Sequence, residues 1–474
     1  MDDLRVWLKK ARELGQLDQI DGADWNLEIG AATALNWRKP AYHALVFDSI
    51  QGYPQGYRVL TSSTSNAALV GLTFGLPTNA TGLDFLEILR PKLAEWDAAL
   101  HKHGPQFVKD GPILENVLSG DKIDLFKFPV PKYHEEDGGR YIGTGDAVIT
   151  QDPDTGQINL GTYRIMVHDK NTTALYISPG HHGRVHYEKY HAKGQKAPVC
   201  ISVGHHPLVF RTACLELPHG TEYNYMGAVT GQPVQVIKEE ITGLPIPANA
   251  DIVIAGFSPP GKTRVEGPFG EWTGYYASKD RPAPILEVER IYYRTDPVLV
   301  GSPPGRAPSD SSFFNGMMKS AAAHNELANA GVPDVRGVWM GEGVLQQFLV
   351  VSIKQRYAGH AKQAAVLASQ MRRGAYMGRY TVVVDEDIDP TNLQEVLWAL
   401  CTRSDPEKSI DIMRRCWSTP LDPTIRKPTN AFFNSRAIID ACKPFEWKDD
   451  FPQEIKISTE LQQQVLAKFG NVLR

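Results

Sequence analysis

Residues Glu266–Trp272, EGPFGEW, set two carboxylates, Glu266 and Glu271, five positions apart across Gly-Pro-Phe-Gly. Pro268 fixes its own φ and restricts Gly267, while Gly270 permits close backbone approach. The segment is therefore a preorganised turn, neither helix nor strand. Its carboxylates are either solvated charges or an acid/base pair in one cleft. The aromatic neighbours Phe269, Trp272, Tyr275 and Tyr276 point to an apolar wall, which would raise a carboxyl pKa as a general acid needs. In NLGTYRIMVHD, Asn159 and Arg164 bracket a short segment, with Arg164 inside an apolar strand pattern. A guanidinium there must find an anion, either an internal carboxylate or the carboxylate or phosphate of a ligand.

Histidine pairs occur twice, His181–His182 in PGHHGR and His205–His206 in VGHHP, each at the end of an expected strand. No H-E-x-x-H or C-x-x-C…H spacing is present, so a zinc hydrolase is poorly supported. Glu222 lies in an aromatic, glycine-flanked stretch, HGTEYNYMG. Asparagine oxygen, histidine nitrogen and glutamate oxygen would form a mostly hard ligand set suited to Mn²⁺ or Mg²⁺, although spacing alone does not select it. The run Asp385, Glu386, Asp387 and Asp389 lacks EF-hand spacing and reads as a solvated turn. Lys362, Arg372, Arg373 and Arg379 read as helix-end and surface charges, any of which could meet a phosphate.

The elements that must position these groups fall into a mixed order. Leu4, Trp7, Leu8 and Ala11 share one helical face, with a stop at Gly15. ALVFDSI is an expected strand, and GLDFLEILRPKLAEWDAAL an expected helix kinked or broken at Pro91. Between about 146 and 300 lie short strand-like runs, AVITQD, GTYRIMVHD, TALYISPG, APVCISVG, QPVQVIKE, ADIVIAGFS and ILEVERIYYR. They suggest a barrel or sandwich. No G-x-G-x-x-G follows a strand and no P-loop occurs. After the loop GSPPGRAPSDSSFFNG, helices and strands alternate in an α/β pattern. The helix HAKQAAVLASQMRRG is expected to end at Gly374, and TELQQQVLAKF is a detached amphipathic helix that must bury its apolar face elsewhere.

The 474 residues allow two to four domains, and the net charge of −4 gives no basic field for nucleic acid or anionic membrane. No membrane-length apolar run and no signal peptide are evident. Five cysteines, an odd count without C-x-x-C spacing, fit a reducing cytoplasm.

Taken together, NLGTYRIMV, the first HH, TEYNYMGAVTG, EGPFGEWTGYY, VVVDEDIDPTNLQEVLWALCTR and STPLDPTIRKP make this chain resemble the UbiD-type decarboxylases, which use prenylated FMN. The resemblance runs over nearly the whole chain. It implies an α+β fold: an N-terminal α/β region (1–110), a central split β-barrel that binds prenylated FMN (111–312), a C-terminal α/β oligomerisation domain (313–450) and a terminal helix (451–474). It implies a catalytic set of Arg164, Glu266 and Glu271, with Glu266 orienting Arg164, Arg164 positioning the substrate carboxylate and Glu271 donating a proton. It also implies that Asn159, His182 and Glu222 hold a divalent metal, Mn²⁺ or Mg²⁺, that ties the flavin phosphate to the protein, with K⁺ nearby.

His181 would lie beside the flavin, and Thr162, Tyr163 and Arg164 would pass along its ring. Arg379 stands where many members have a lysine near the flavin phosphate, while His205 and His206 match no ligand position. The implied activity is reversible, non-oxidative decarboxylation of a small aromatic or heteroaromatic acid, releasing CO₂, by a cytoplasmic homodimer or homohexamer. Its cofactor would come from a flavin prenyltransferase, and no nucleic acid or membrane partner is expected. Alternatives are a cinnamic-type acrylic acid as substrate, or a non-catalytic flavin- or metal-binding module. Substrate choice is expected to lie in Trp272, RAPSDSSFFNG and the stretch around EGVLQQF.

Overall fold

The computed structural model describes residues 2–277, 279–341, 345–425 and 431–473. The first helix, Leu4–Glu13, buries Leu4, Trp7, Leu8 and Ala11, and Gly15 ends it at φ +66°. It packs beside a four-stranded sheet ordered Leu17–Asp21, Ala44–Asp48, Arg58–Thr61, Val298–Val300. The last of these strands arrives after the central region and pairs parallel with Arg58–Thr61, tying the two parts together. The helix Gly82–Ala99 continues through Pro91 rather than breaking there.

The central sheet has ten strands among the described residues. Its main path runs Arg140–Gly143, Ile165–Asp169, Thr172–Ala174, Arg281–Tyr293, Ile252–Ser258, Ala197–Gly204, Ala147–Gln151, Ile158–Gly161. Every neighbouring pair along this path is antiparallel, and the sheet curls into a half-barrel. Successive residues point to opposite faces. Val148, Ile201 and Ile254 enter one hydrophobic core, and Ile149, Cys200 and Val253 the other. Both faces are covered, so these strands read as continuous apolar runs.

The C-terminal sheet is ordered Val335–Trp339, Phe348–Ile353, Tyr380–Asp385, Phe433–Ala441, Ile410–Trp417, parallel in the middle and antiparallel at both edges. Its faces carry two separate apolar clusters, one shared with the helix His360–Gln370 and one with Leu393–Arg403. The structure corrects several sequence expectations here. The helix Asp310–Asn329 begins inside the expected loop, because Ser309 and Ser312 form a capping box. The helix expected to reach Gly374 stops at Gln370, and Arg372–Ala375 forms a separate turn. The acidic run is no solvated turn: Arg403, its side chain 1% exposed, binds both Asp385 and Asp387. Thr459–Leu473 is helical and buries no residue.

Candidate active site

The strand Ile158–Gly161 ends before the next begins at Ile165, so Thr162, Tyr163 and Arg164 occupy a break between strands. Arg164 is thus not a strand residue, as its pattern had suggested. The Thr162 hydroxyl donates to the Asp146 carbonyl at 3.0 Å, and Asp146, buried beneath, holds a carboxyl pushed well above its ordinary range by desolvation. The break aims the Arg164 guanidinium at both glutamates. Nε and Nη2 donate to the two oxygens of Glu266 at 2.8 and 2.9 Å, and Nη1 donates to Glu271 at 3.1 Å. Glu266 is fully buried, and the Tyr141 hydroxyl donates to it at 3.1 Å. Such a two-pronged pair fixes the plane of the guanidinium.

The turn between the glutamates is held by contacts that the sequence did not indicate. Gly267 has φ +89°, a conformation that favours glycine. Gly138 donates its N–H to the Pro268 carbonyl at 2.8 Å, and a Cβ at Gly138 would lie 1.9 Å from the Gly267 carbonyl oxygen. Phe269 is buried and stacks on Tyr141 with ring centroids 3.9 Å apart. The apolar wall near Arg164 is therefore Phe269 and Tyr176, whose rings lie 5.7 and 5.5 Å from its guanidinium carbon. Tyr275 and Tyr276 face solvent instead.

Burial lifts the Glu271 carboxyl above its ordinary pKa; Arg164 and Arg281 pull it down and Glu266 pushes it up. Arg281, absent from the sequence reading, also donates to the Tyr176 hydroxyl at 2.8 Å. Only the pairing of its strand with Thr263–Glu266 brings it here, and nothing in local sequence signals that.

A second convergence surrounds Tyr163. Asn159 lies on the adjoining strand, 4% exposed, beside the Tyr163 hydroxyl, and among the described residues its amide nitrogen makes no well-formed hydrogen bond. His181, the N-cap of the helix His182–Ala192, sets its ring edge-on to Tyr163 at 5.7 Å. A Cβ at Gly183 would meet Tyr163 at 3.1 Å. Glu222 opens the helix Glu222–Thr230, is 6% exposed, and is pushed to a pKa of about 7 by burial. The first histidine pair thus starts a helix rather than ending a strand. Both its members are exposed, while Asn159 and Glu222 are buried. His182 stacks on His219 at 4.0 Å, and the His219 Nε2 lies 3.1 Å from the His186 Nε2.

Among the described residues the buried Glu222 carboxylate has no salt-bridge partner and the buried Asn159 amide no well-formed hydrogen bond, which fits a hard cation with an anionic ligand. Among the described residues no cluster of three or more His, Cys, Asp or Glu could hold a metal ion. The expected set contains only two such residues.

The remaining candidates are taken up by the fold. Arg379 donates to both oxygens of Asp422 at 2.8 Å, and to Thr424 at 3.2 Å. His205 bonds Ser202 at 2.8 Å, and His206 caps the following helix by accepting from the Leu208 N–H at 3.1 Å. Glu342–Val344 of EGVLQQF and Arg426–Pro428 of STPLDPTIRKP lie outside the described residues. All five cysteines are free, and no described helix is long and apolar enough to cross a membrane.

The half-barrel thus carries one arginine paired with two glutamates, and similarity to known proteins gives the class, a carboxy-lyase. Residues 106–307 match the 3-octaprenyl-4-hydroxybenzoate carboxy-lyase Rift-related domain, and residues 312–441 match the C-terminal domain of the same family. The chain belongs to the UbiD family and is a decarboxylase. It is 33% identical to the pyrrole-2-carboxylic acid decarboxylase of Pseudomonas aeruginosa, covering 85% of this chain and 83% of that one. It is 32% identical to a phenolic acid decarboxylase of Sedimentibacter hydroxybenzoicus, covering 93% and 92%.

Its fold is similar to that of the UbiD-class enzyme HmfF from Pelotomaculum thermopropionicum in complex with FMN, with TM-score 0.86, 27% identity and coverage of 99% and 100%. An evolved dimeric form of HmfF in complex with prFMN gives 0.82 and 26%, with the same coverage.

Proposed function

We propose that this protein catalyses the reversible, non-oxidative decarboxylation of an aromatic or heteroaromatic carboxylic acid, with prenylated FMN as cofactor. The observation that carries the reading is Arg164 locked by Glu266 while sharing its last nitrogen with Glu271. The substrates named for the pyrrole-2-carboxylic and phenolic acid decarboxylases support a ring acid, and the FMN and prFMN complexes of HmfF support the cofactor. Asn159, His182 and Glu222 would hold a divalent cation, Mn²⁺ or Mg²⁺, at the flavin phosphate, with Thr162, Tyr163 and His181 against the ring. Bound there, the modified flavin would accept the electron density left on the substrate carbon as CO₂ departs.

The chain's own groups have separable tasks. Glu266, buried, fixes the orientation of the Arg164 guanidinium through two hydrogen bonds. Arg164 Nη1 is the edge a substrate carboxylate would compete for. When it wins, Glu271 loses the guanidinium that pulls its pKa down, and burial raises the carboxyl further. Carboxylate binding thereby prepares Glu271 to deliver a proton to the carbon.

Protein co-produced with a flavin prenyltransferase should show flavin absorbance, contain manganese and release CO₂ from at least one acid in a panel of pyrrole, furan and phenolic carboxylic acids. Colourless protein would remove the cofactor from the reading. Loaded protein that releases CO₂ from no member would remove the substrate class.

A further inference from the structure

Arg379 is expected from sequence to face the phosphate of the cofactor, yet its guanidinium is already paired with both oxygens of Asp422. Another cation is placed differently. Lys319 lies on the long helix Asp310–Asn329 and is partly buried; among the described residues its ammonium has one hydrogen bond, to the Gln346 Oε1 at 2.9 Å. Gln346 is 1% exposed, and its amide nitrogen has no partner there. An ammonium and an amide N–H₂ thus sit side by side with unused donors, which a buried site leaves only at a cost.

Arg372 and Arg373 flank the same place. Arg372 binds Glu216 at 3.0 and 3.2 Å, and Arg373 binds Glu326 at 3.1 Å. Glu216 links this corner to the candidate flavin strip. Two residues before it, the Cys214 Sγ lies 3.4 Å from the Thr162 Oγ1, and the Ala213 carbonyl accepts the Thr162 N–H at 3.3 Å.

We propose that Lys319 and Gln346 form the phosphate-binding end of the flavin site, taking the part that sequence position gives to Arg379. The assignment rests on the cofactor reading above. A phosphate monoester accepts several charge-assisted hydrogen bonds, and Lys319 and Gln346 supply unused donors without breaking an existing ion pair. Burial, then Arg373 and Arg372, push the Lys319 ammonium down to a pKa of about 8 against the pull of Glu216, so an added anion stabilises its charge.

The test is titration of cofactor-free protein with FMN and with riboflavin, which shares the ring and lacks the phosphate, read by quenching of flavin fluorescence. Wild-type protein should bind FMN at least tenfold more tightly than riboflavin. Lys319→Met should lose most of that preference, through weaker FMN binding with riboflavin affinity unchanged, and Lys319→Arg should regain part of it. Lys319→Gln gives the same readout if the methionine variant does not fold. An unchanged FMN preference in both Lys319→Met and Lys319→Gln overturns the assignment while the cofactor reading stands. Equal weakening of both flavins makes Lys319 a packing residue and also overturns it. Failure of wild-type protein to bind FMN removes the cofactor reading itself.

Discussion

At the residue scale, Glu266 and Glu271 are the same amino acid in different surroundings. Glu266 is fully buried and meets Arg164 through both oxygens, whereas Glu271, its side chain 20% exposed, meets it through one. Glu271→Gln cannot supply a proton, so kcat for CO₂ release should fall roughly 10²- to 10⁴-fold while flavin content is retained. Undiminished turnover would take the acid role from Glu271. Because its folded pKa is raised, the protonated form persists above the ordinary carboxylate range. The wild-type rate should therefore fall as pH rises through that raised value, and a kcat profile that rises there instead would contradict the assignment. Glu266→Gln leaves Arg164, its side chain 12% exposed, with only the single contact to Glu271 and should cost roughly 3 kcal/mol of stability. Thermal or urea unfolding measures that loss.

At the element scale, the site depends on two backbone segments in contact. Gly138 has no room for a Cβ against the Gly267 carbonyl. Gly138→Ala should move the Gly267–Pro268 segment, and with it Glu266 and Glu271, lowering turnover by about 10²-fold, as misplacement near 1 Å does. Circular dichroism should show the fold retained; turnover equal to wild type would mean the segment absorbs the change elsewhere.

In the C-terminal sheet, burial opposes ionisation of Asp387, but Arg403 and Lys443 prevail and hold its pKa at about 2, below the ordinary 3.8. A depressed carboxyl stabilises the fold above its unfolded pKa, and that contribution is lost as pH falls from about 4 through about 2. The partial exposure of Asp387 limits it to about 1 kcal/mol. Acid unfolding of wild type against Asp387→Asn should show that component only in wild type.

At the scale of the whole molecule, exposed apolar side chains gather toward the C-terminal end. Leu393, Leu397 and Trp398 lie on one helix, Ile412 and Trp417 on an edge strand, and Leu461, Phe469 and Val472 on the terminal helix. That helix buries nothing within its own chain, and such a face needs a partner. Light scattering should find a homodimer or larger assembly, and deletion of residues 457–474 should reduce its size or solubility. An unchanged assembly would place the interface elsewhere.

The sequence by itself determined the helices and strands whose apolar pattern is local, such as Leu4–Glu13 and Ala197–Gly204. It also named Arg164, Glu266 and Glu271, because their motifs run in a specific order. It misplaced Arg164 within a strand and read the acidic run as solvated, since side-chain periodicity records neither strand breaks nor distant partners such as Arg403. Tyr141, Tyr176, Gly138 and Arg281 were illegible because antiparallel pairing and loop contact bring them in from distant positions. Only the tertiary structure decided which carboxylate is buried, which is shared, and which cation already has its anion. Desolvation and pairing are properties of the folded surroundings, not of residue type.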